Sequence, residues 1–227
     1  MLVGRSLISR VERSAAQFEM STAAACQQID PADPATAHRL GQGALVALGP
    51  GRYVNRAIGI TLDEPDDATL DQAEAFFAAA GVPPSIELCS WASAPLLGRL
   101  VTRGYRPEWF RNVYVRSPRR PMPTSGAGPS DLAIHRVDDE SLGAWQGVFA
   151  ASFEYTSSQD LATAQRYTSA VHLVPGTTHL LATRDGTVAA CASLNVSDGV
   201  GWLGGAATVP AFRGAGRPAP CPIGEIG

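Results

Sequence analysis

Val200-Gly201-Trp202-Leu203-Gly204-Gly205-Ala206-Ala207-Thr208-Val209-Pro210-Ala211-Phe212-Arg213-Gly214-Ala215-Gly216 is a strand-like run that enters a small glycine-rich turn carrying one arginine. Gly214 and Gly216 give the backbone conformations closed to residues with a Cβ, and they let a ligand approach closely. A turn of this kind points several N–H groups at one anion, and a helix start beyond it would add its dipole. Arg213 would bring charge to a phosphate oxygen.

Upstream of this stretch the pattern is regular. Leu132-Ala133-Ile134-His135-Arg136-Val137 alternates as a strand does. Asp138-Asp139 is placed to cap the next helix, whose apolar face is Leu142, Trp145, Val148, Phe149 and Phe153. Ser157 with Asp160 three residues on resembles a capping box, and Leu161, Ala164, Tyr167 and Val171 follow at helical spacing until Pro175-Gly176. His179–Arg184 and Thr187–Val196 flank Asp185-Gly186, a strong hairpin signal. Ser197-Asp198-Gly199 makes the next turn. The order is one strand, two helices, then a three-strand meander.

Residues 117–130 hold four prolines and two glycines among few large apolar side chains. Such a segment buries too little surface to order itself, so it reads as an exposed connector and a domain boundary. Before it, apolar positions at Leu7, Ile8, Val11, Ala15, Phe18 and Ala25 predict a helix over 5–29. Ala44–Leu48 and Tyr53–Ile60 read as strands, and Gly41-Gln42-Gly43 as a turn. Asp66-Asp67 opens a helix through Ala80, and Ser85–Cys89 reads as a strand. Ala94–Arg103 reads as a helix, and Trp109–Val115 as a closing strand. Trp91, Tyr105, Trp109 and Phe110 read first as core aromatics, with a pocket wall as the other reading. The whole is mixed α/β, an α+β arrangement around mixed sheets.

Composition sets further bounds. The chain has 227 residues, 45% hydrophobic and 17% charged, which suits globular domains with sizeable cores. Its net charge of −3 gives no footprint for nucleic acid. No stretch reaches the length of a membrane span and no signal peptide is evident, so the expectation is a cytoplasmic protein. Cys26, Cys89, Cys191 and Cys221 form no C-x-x-C pair, and His38, His135, His172 and His179 lack metal-ligand spacing, so no metal site is expected. Hydrolase, NTPase and dinucleotide-binding motifs are missing from the sequence.

Arg213, Gly216 and Pro218 fall on the three defining positions of a motif written Gln or Arg, two residues, Gly, one residue, Gly or Ala. The first two match and Pro218 departs. Together with the preceding strand they resemble the acetyl-CoA segment of the GNAT acyltransferase superfamily. The resemblance covers residues 132–216, and by order and length alone residues 1–116 are similar to a degenerate half domain of the same kind. It implies two GNAT-like domains in tandem: 1–116, a linker at 117–130, and the N-terminal part of an acetyltransferase domain at 131–227. It implies acyl transfer from acetyl-CoA to an amine, on a small molecule or a peptide; charge and hydropathy separately predict neither nucleic acid nor membrane as partner.

The residue roles follow from the same resemblance. A bulge at Gly204–Val209 would hold the thioester carbonyl and pantetheine arm through Ala207, Thr208 and Val209. Arg213, Gly214, Ala215 and Gly216 would take the pyrophosphate. Glu154, beside Tyr155, lies where the family builds its acceptor pocket and is the candidate catalytic residue, with no general base identifiable from the sequence; a solvated helix-end carboxylate is its plainer reading. The family's next helix has no counterpart in Arg217–Gly227, where Pro218, Pro220 and Pro222 forbid one. The expectation is therefore an incomplete second domain, by a native end or a shifted reading frame, with a non-catalytic CoA-binding remnant as the alternative function. An uncovered sheet edge would then favour dimerisation.

Overall fold

The structure, a computed structural model, describes residues 4–52, 54–117 and 131–213. Its described residues sort into two compact units, one within 4–106, 156–178 and 194–204, the other within 107–117, 131–155, 179–193 and 205–213.

The first unit begins with α1, Arg5–Ile29, 25 residues without a glycine or proline. Its inward face is small, with Ala15, Ala16, Ala23 and Cys26 buried, so a sheet can approach closely. That sheet runs β1 (Thr36–Leu40), β2 (Gly43–Ala47) and β3 (Asn55–Ile58), antiparallel and in that order. β2 is buried throughout and forms the centre. β1 escapes sequence reading because Thr-Ala-His-Arg-Leu has no apolar alternation; its pairing is imposed by the turn at Gly41-Gln42. Gly43 has no substitute, since a Cβ there would come within 2.2 Å of Ile58 O.

α2 (Asp67–Ala79) starts at Asp66, whose carboxylate accepts from Thr69 N–H at 2.8 Å. α3 (Ala94–Thr102) starts at Ser93, whose Oγ accepts from Leu96 N–H. Leu70, Leu96 and Leu100 pack together with Tyr105 against them. The strand expected at Ser85–Cys89 reduces to one parallel bridge, Ala57 to Ile86. Pro83-Pro84 offers no donors before it, and Cys89 N–H turns away to Thr61 Oγ1 at 3.0 Å.

Two further expectations fail. Trp109–Val115 has no regular secondary structure and joins no ladder among the described residues, with Phe110 92% and Tyr114 91% exposed. Trp91 and Trp109 are half-exposed, so of the four aromatics only Tyr105 contributes to a core. Strand propensity alone does not bury a segment that lacks an edge to pair with.

A four-stranded sheet runs β4 (Leu132–Arg136), β5 (Thr177–Arg184), β6 (Thr187–Ser197) and β7 (Val200–Thr208) in that order. β4 and β5 are antiparallel, from Leu132 opposite Arg184 to Arg136 opposite Leu180. Asp185-Gly186 and Asp198-Gly199 both have two positive φ values, the type I′ geometry of a two-residue hairpin. α4 (Leu142–Ser152) buries Trp145, Val148 and Phe149. Asp138 does not cap it: its carboxylate is taken by Ser141 N–H and Oγ, which stand just before the first turn. α5 (Ser158–Leu173) belongs to the first unit and does start as expected, with Ser157 Oγ accepting from Asp160 N–H at 3.0 Å. Its Ala170 and Tyr167 join the α1 core. Its Arg166 shares Asp33, a fully buried carboxylate, with Arg52.

Candidate active site

The glycine-rich strand of residues 200–208 enters the second unit at Gly205. Counting from the two-residue turn at Asp198-Gly199, an unbroken antiparallel ladder would set Thr208 opposite Ala189. Instead Val209 N–H donates to Ala189 O at 2.9 Å, one residue further along. β7 therefore holds one residue more than β6 over this span, which is a β-bulge. The place of the extra residue is marked by Gly205, whose φ of +57° lies in the left-handed region.

Side chains from α4, β5 and β6 pack under this bulge. A Cβ on Gly205 would stand 3.1 Å from Ser193 Oγ and 3.5 Å from the Trp145 ring. Trp145 is 2% exposed, and its Nε1–H donates to Ala192 O at 3.1 Å. The His179 ring lies 4.4 Å from the Trp145 ring, and His179 Nδ1 is 2.7 Å from Ser193 Oγ. Cys191 Sγ lies 3.5 Å from Gly205 O. Burial pushes the Cys191 thiol up to about 11, against a smaller opposing pull from Ala207 N–H.

Arg213 folds back on this unit. Its Nε donates to Thr208 O at 3.0 Å and its Nη2 to Ser152 O at 2.7 Å, and Nη1 stands 3.7 Å from Glu154 Oε1. Ser152 ends α4, so the guanidinium sits where free carbonyls and the negative end of the helix dipole favour a cation.

Glu154 owes its position to how α4 stops. Tyr155 N–H donates to Ala150 O and Glu154 N–H to Ala151 O, the paired bonds of a Schellman ending. Glu154 occupies the left-handed position of that motif, φ +57°, where glycine is the usual residue. Tyr155 packs 6.4 Å from Phe149 and lies 6.0 Å from Phe153 at 18°, the apolar contact that accompanies such an ending. The Glu154 side chain is 75% exposed.

Of the expected site residues, the structure thus brings Thr208, Arg213 and Glu154 together, sets Ala207 on the bulged strand and places Val209 just past its end, bonded to Ala189 O. Gly214, Ala215 and Gly216 lie outside the described residues, as does Cys221. His179 and Ser193 were not singled out for this site by sequence reading. Their signal was phase: His179 shares the inward phase of β5 with Leu181, and Ser193 shares that of β6 with Ala189, Cys191 and Asn195. Polar residues in a buried phase stand out from their neighbours.

Among the described residues no group of His, Cys, Asp or Glu could hold a metal ion, and no helix is long and apolar enough to cross a membrane. The cleft lined by Cys26, Leu48, Arg52, Thr163, Arg166 and Tyr167 in the first unit has a volume of about 10 Å³, room for one water at most.

No family model matches the sequence, and no curated protein does. Solved structures similar to it include the following two. A tandem GNAT protein from the clavulanic acid biosynthesis pathway, solved without AcCoA, has a TM-score of 0.48 at 15% identity, over 94% of this chain and 79% of that one. A GCN5-related N-acetyltransferase from Kribbella flavida has a TM-score of 0.47 at 18% identity, over 86% of this chain and 74% of that one.

Proposed function

We propose that this chain is an acyl-CoA-dependent N-acyltransferase of tandem GNAT type, with residues 131–227 carrying the transfer, residues 117–130 a linker and residues 1–116 a degenerate half. The observation that carries the reading is the bulge at Gly205 in the strand that leads to Arg213. A regular ladder spends every N–H and C=O on its neighbours, whereas a bulge leaves backbone groups over for a ligand. The residues resembling the family's thioester-binding segment are the ones that bulge.

The chemistry asks little of side chains. An amine lone pair attacks the thioester carbon, the C–S bond breaks, and the CoA thiolate leaves while the amine loses a proton. Backbone around Ala207–Val209 would orient the pantetheine arm, and Arg213 with the Gly214–Gly216 amides would hold the diphosphate. Donors fixed in advance at the developing oxyanion supply the main stabilisation. Glu154, solvent-facing and next to Arg213, would receive the amine proton. The free, buried thiols at Cys26, Cys89 and Cys191 support a reducing, cytoplasmic setting. β7 ends the sheet order, which supports pairing of two copies through its edge.

One observation favours a second reading, a CoA-binding module without turnover. The Arg213 guanidinium already serves Thr208 O and Ser152 O, so a diphosphate must compete with two backbone acceptors. Calorimetric titration of acetyl-CoA into wild-type protein and Arg213→Ala, with a thiol-release assay over a panel of amines, separates the two. The transferase reading expects binding weakened about tenfold or more in the variant, and thiol release with at least one amine. Heat without thiol release supports the module, and no heat in either protein rejects both.

A further inference from the structure

We infer that His179 and Ser193 are positioning residues that fix the β7 bulge in the geometry its thioester contact requires, an inference that rests on the acyltransferase reading above. Three contacts converge on one spot. The 2.7 Å bond between His179 Nδ1 and Ser193 Oγ holds the hydroxyl beside Gly205, 3.1 Å from where a Cβ would stand. The Trp145 ring closes the other side, 3.5 Å from the same point, and its own orientation is set by the bond to Ala192 O and by the His179 ring. Gly205 O faces Cys191 Sγ. The bulged residue is thus faced by three side chains, Trp145 on α4 and Cys191 and Ser193 on β6, with His179 of β5 holding Ser193 and lying against Trp145.

The chemistry of the box is what points to positioning. His179 is 2% exposed, and a buried imidazole–hydroxyl pair is a costly way to fill space that an apolar pair would fill more cheaply. What a hydrogen-bonded pair adds is direction: it admits one rotamer of Ser193 and one distance to Gly205. A site that stabilises charge with backbone donors needs those donors held to a fraction of an ångström. Small apolar side chains at 179 and 193 would leave Gly205, at φ +57°, free to relax toward a regular ladder.

The test titrates acetyl-CoA into wild type, Ser193→Ala, Ser193→Thr and His179→Leu. Leu100→Ala serves as a control that destabilises the first unit without touching the bulge. Amide resonances of residues 205–209 are recorded for each. Ser193→Ala and His179→Leu should weaken binding about tenfold and shift the 205–209 amides. Ser193→Thr, which keeps the hydroxyl, should stay within about twofold, and Leu100→Ala should bind normally although its melting temperature falls. Unchanged affinity in Ser193→Ala beside a wild type that binds overturns this inference and leaves the acyltransferase reading standing. Equal weakening in Leu100→Ala also overturns it, by tracing the loss to stability alone. A wild type that binds no acetyl-CoA removes the reading and this inference with it.

Discussion

Val209 N–H donates to Ala189 O, where an unbroken ladder would place Thr208 in that role. One inserted residue in β7 produces this slip, and Gly205 absorbs it with a left-handed backbone. Replacing Gly205 by alanine asks an L-residue to hold φ +57° and brings a methyl within 3.1 Å of Ser193 Oγ. Gly205→Ala should cost about 1–2 kcal/mol in urea denaturation and reduce acetyl-CoA affinity. A variant as stable as wild type would mean that the bulge lies elsewhere.

Glu154 sits where the end of α4 asks for glycine. Glu154→Gly should therefore raise stability, by about 1 kcal/mol from the relieved backbone, measured by the denaturation midpoint. If Glu154 receives the amine proton, the same variant loses thiol release. Glu154→Gln should lose activity without gaining stability, which separates backbone from carboxylate. A Glu154→Gly protein that is both active and more stable would make this residue a plain helix-end carboxylate.

Much of this fold was legible from apolar period and punctuation. α1, α2, α3, α4 and α5 lie where spacing placed them, because each has an unbroken inward face between clear stops. The β5–β6–β7 meander was legible from Asp185-Gly186 and Asp198-Gly199, whose geometry leaves a two-residue hairpin as the outcome. β1 was not legible, since its partner rather than its own sequence makes it a strand. Trp109–Val115 failed the other way: its composition says strand, but pairing depends on an edge far away in sequence. Within the site, Arg213 and Glu154 could be named from the motif and the helix end. Their contact could not, because it joins 60 residues of chain through a tertiary approach. His179 and Ser193 became visible only once two strands were set side by side.

The thiols should behave as core groups. Burial pushes Cys191 up to about 11, and burial also raises Cys26 and Cys89. At about pH 8 only a minor thiolate fraction exists at any of the three, and the alkylating reagent lacks access. Peptides containing them should remain unlabelled until denaturant is added, read by mass spectrometry. Rapid native labelling of Cys191 would show that the β6–β7 contact opens.

Acid should loosen the second unit through two aspartates. The Arg184 guanidinium, 2.5 Å away, holds Asp131 below the usual carboxylate range, and Ser141 holds Asp138 below it through side-chain and backbone donation. Each folded pKa lies below its unfolded value of about 3.9. Their contributions are thus complete above that value and are lost as pH falls through the folded pKa. Asp138→Asn should flatten the acid limb of the stability curve below about pH 4. Added salt should weaken only the Asp131 part, since the Ser141 bonds are not a charge pair. An acid limb identical in wild type and Asp138→Asn would contradict this assignment.

The proposed transfer requires that the bulged strand and the glycine-rich sequence after Arg213 bind an acyl-CoA. It is tested most directly by titrating acetyl-CoA into isotope-labelled protein while following backbone amide resonances. Saturable shifts should cluster at residues 205–209 and 213–216, with residues of α2 and α3 unmoved. Shifts that are absent, or that spread over the first unit while 205–216 stay still, would contradict it.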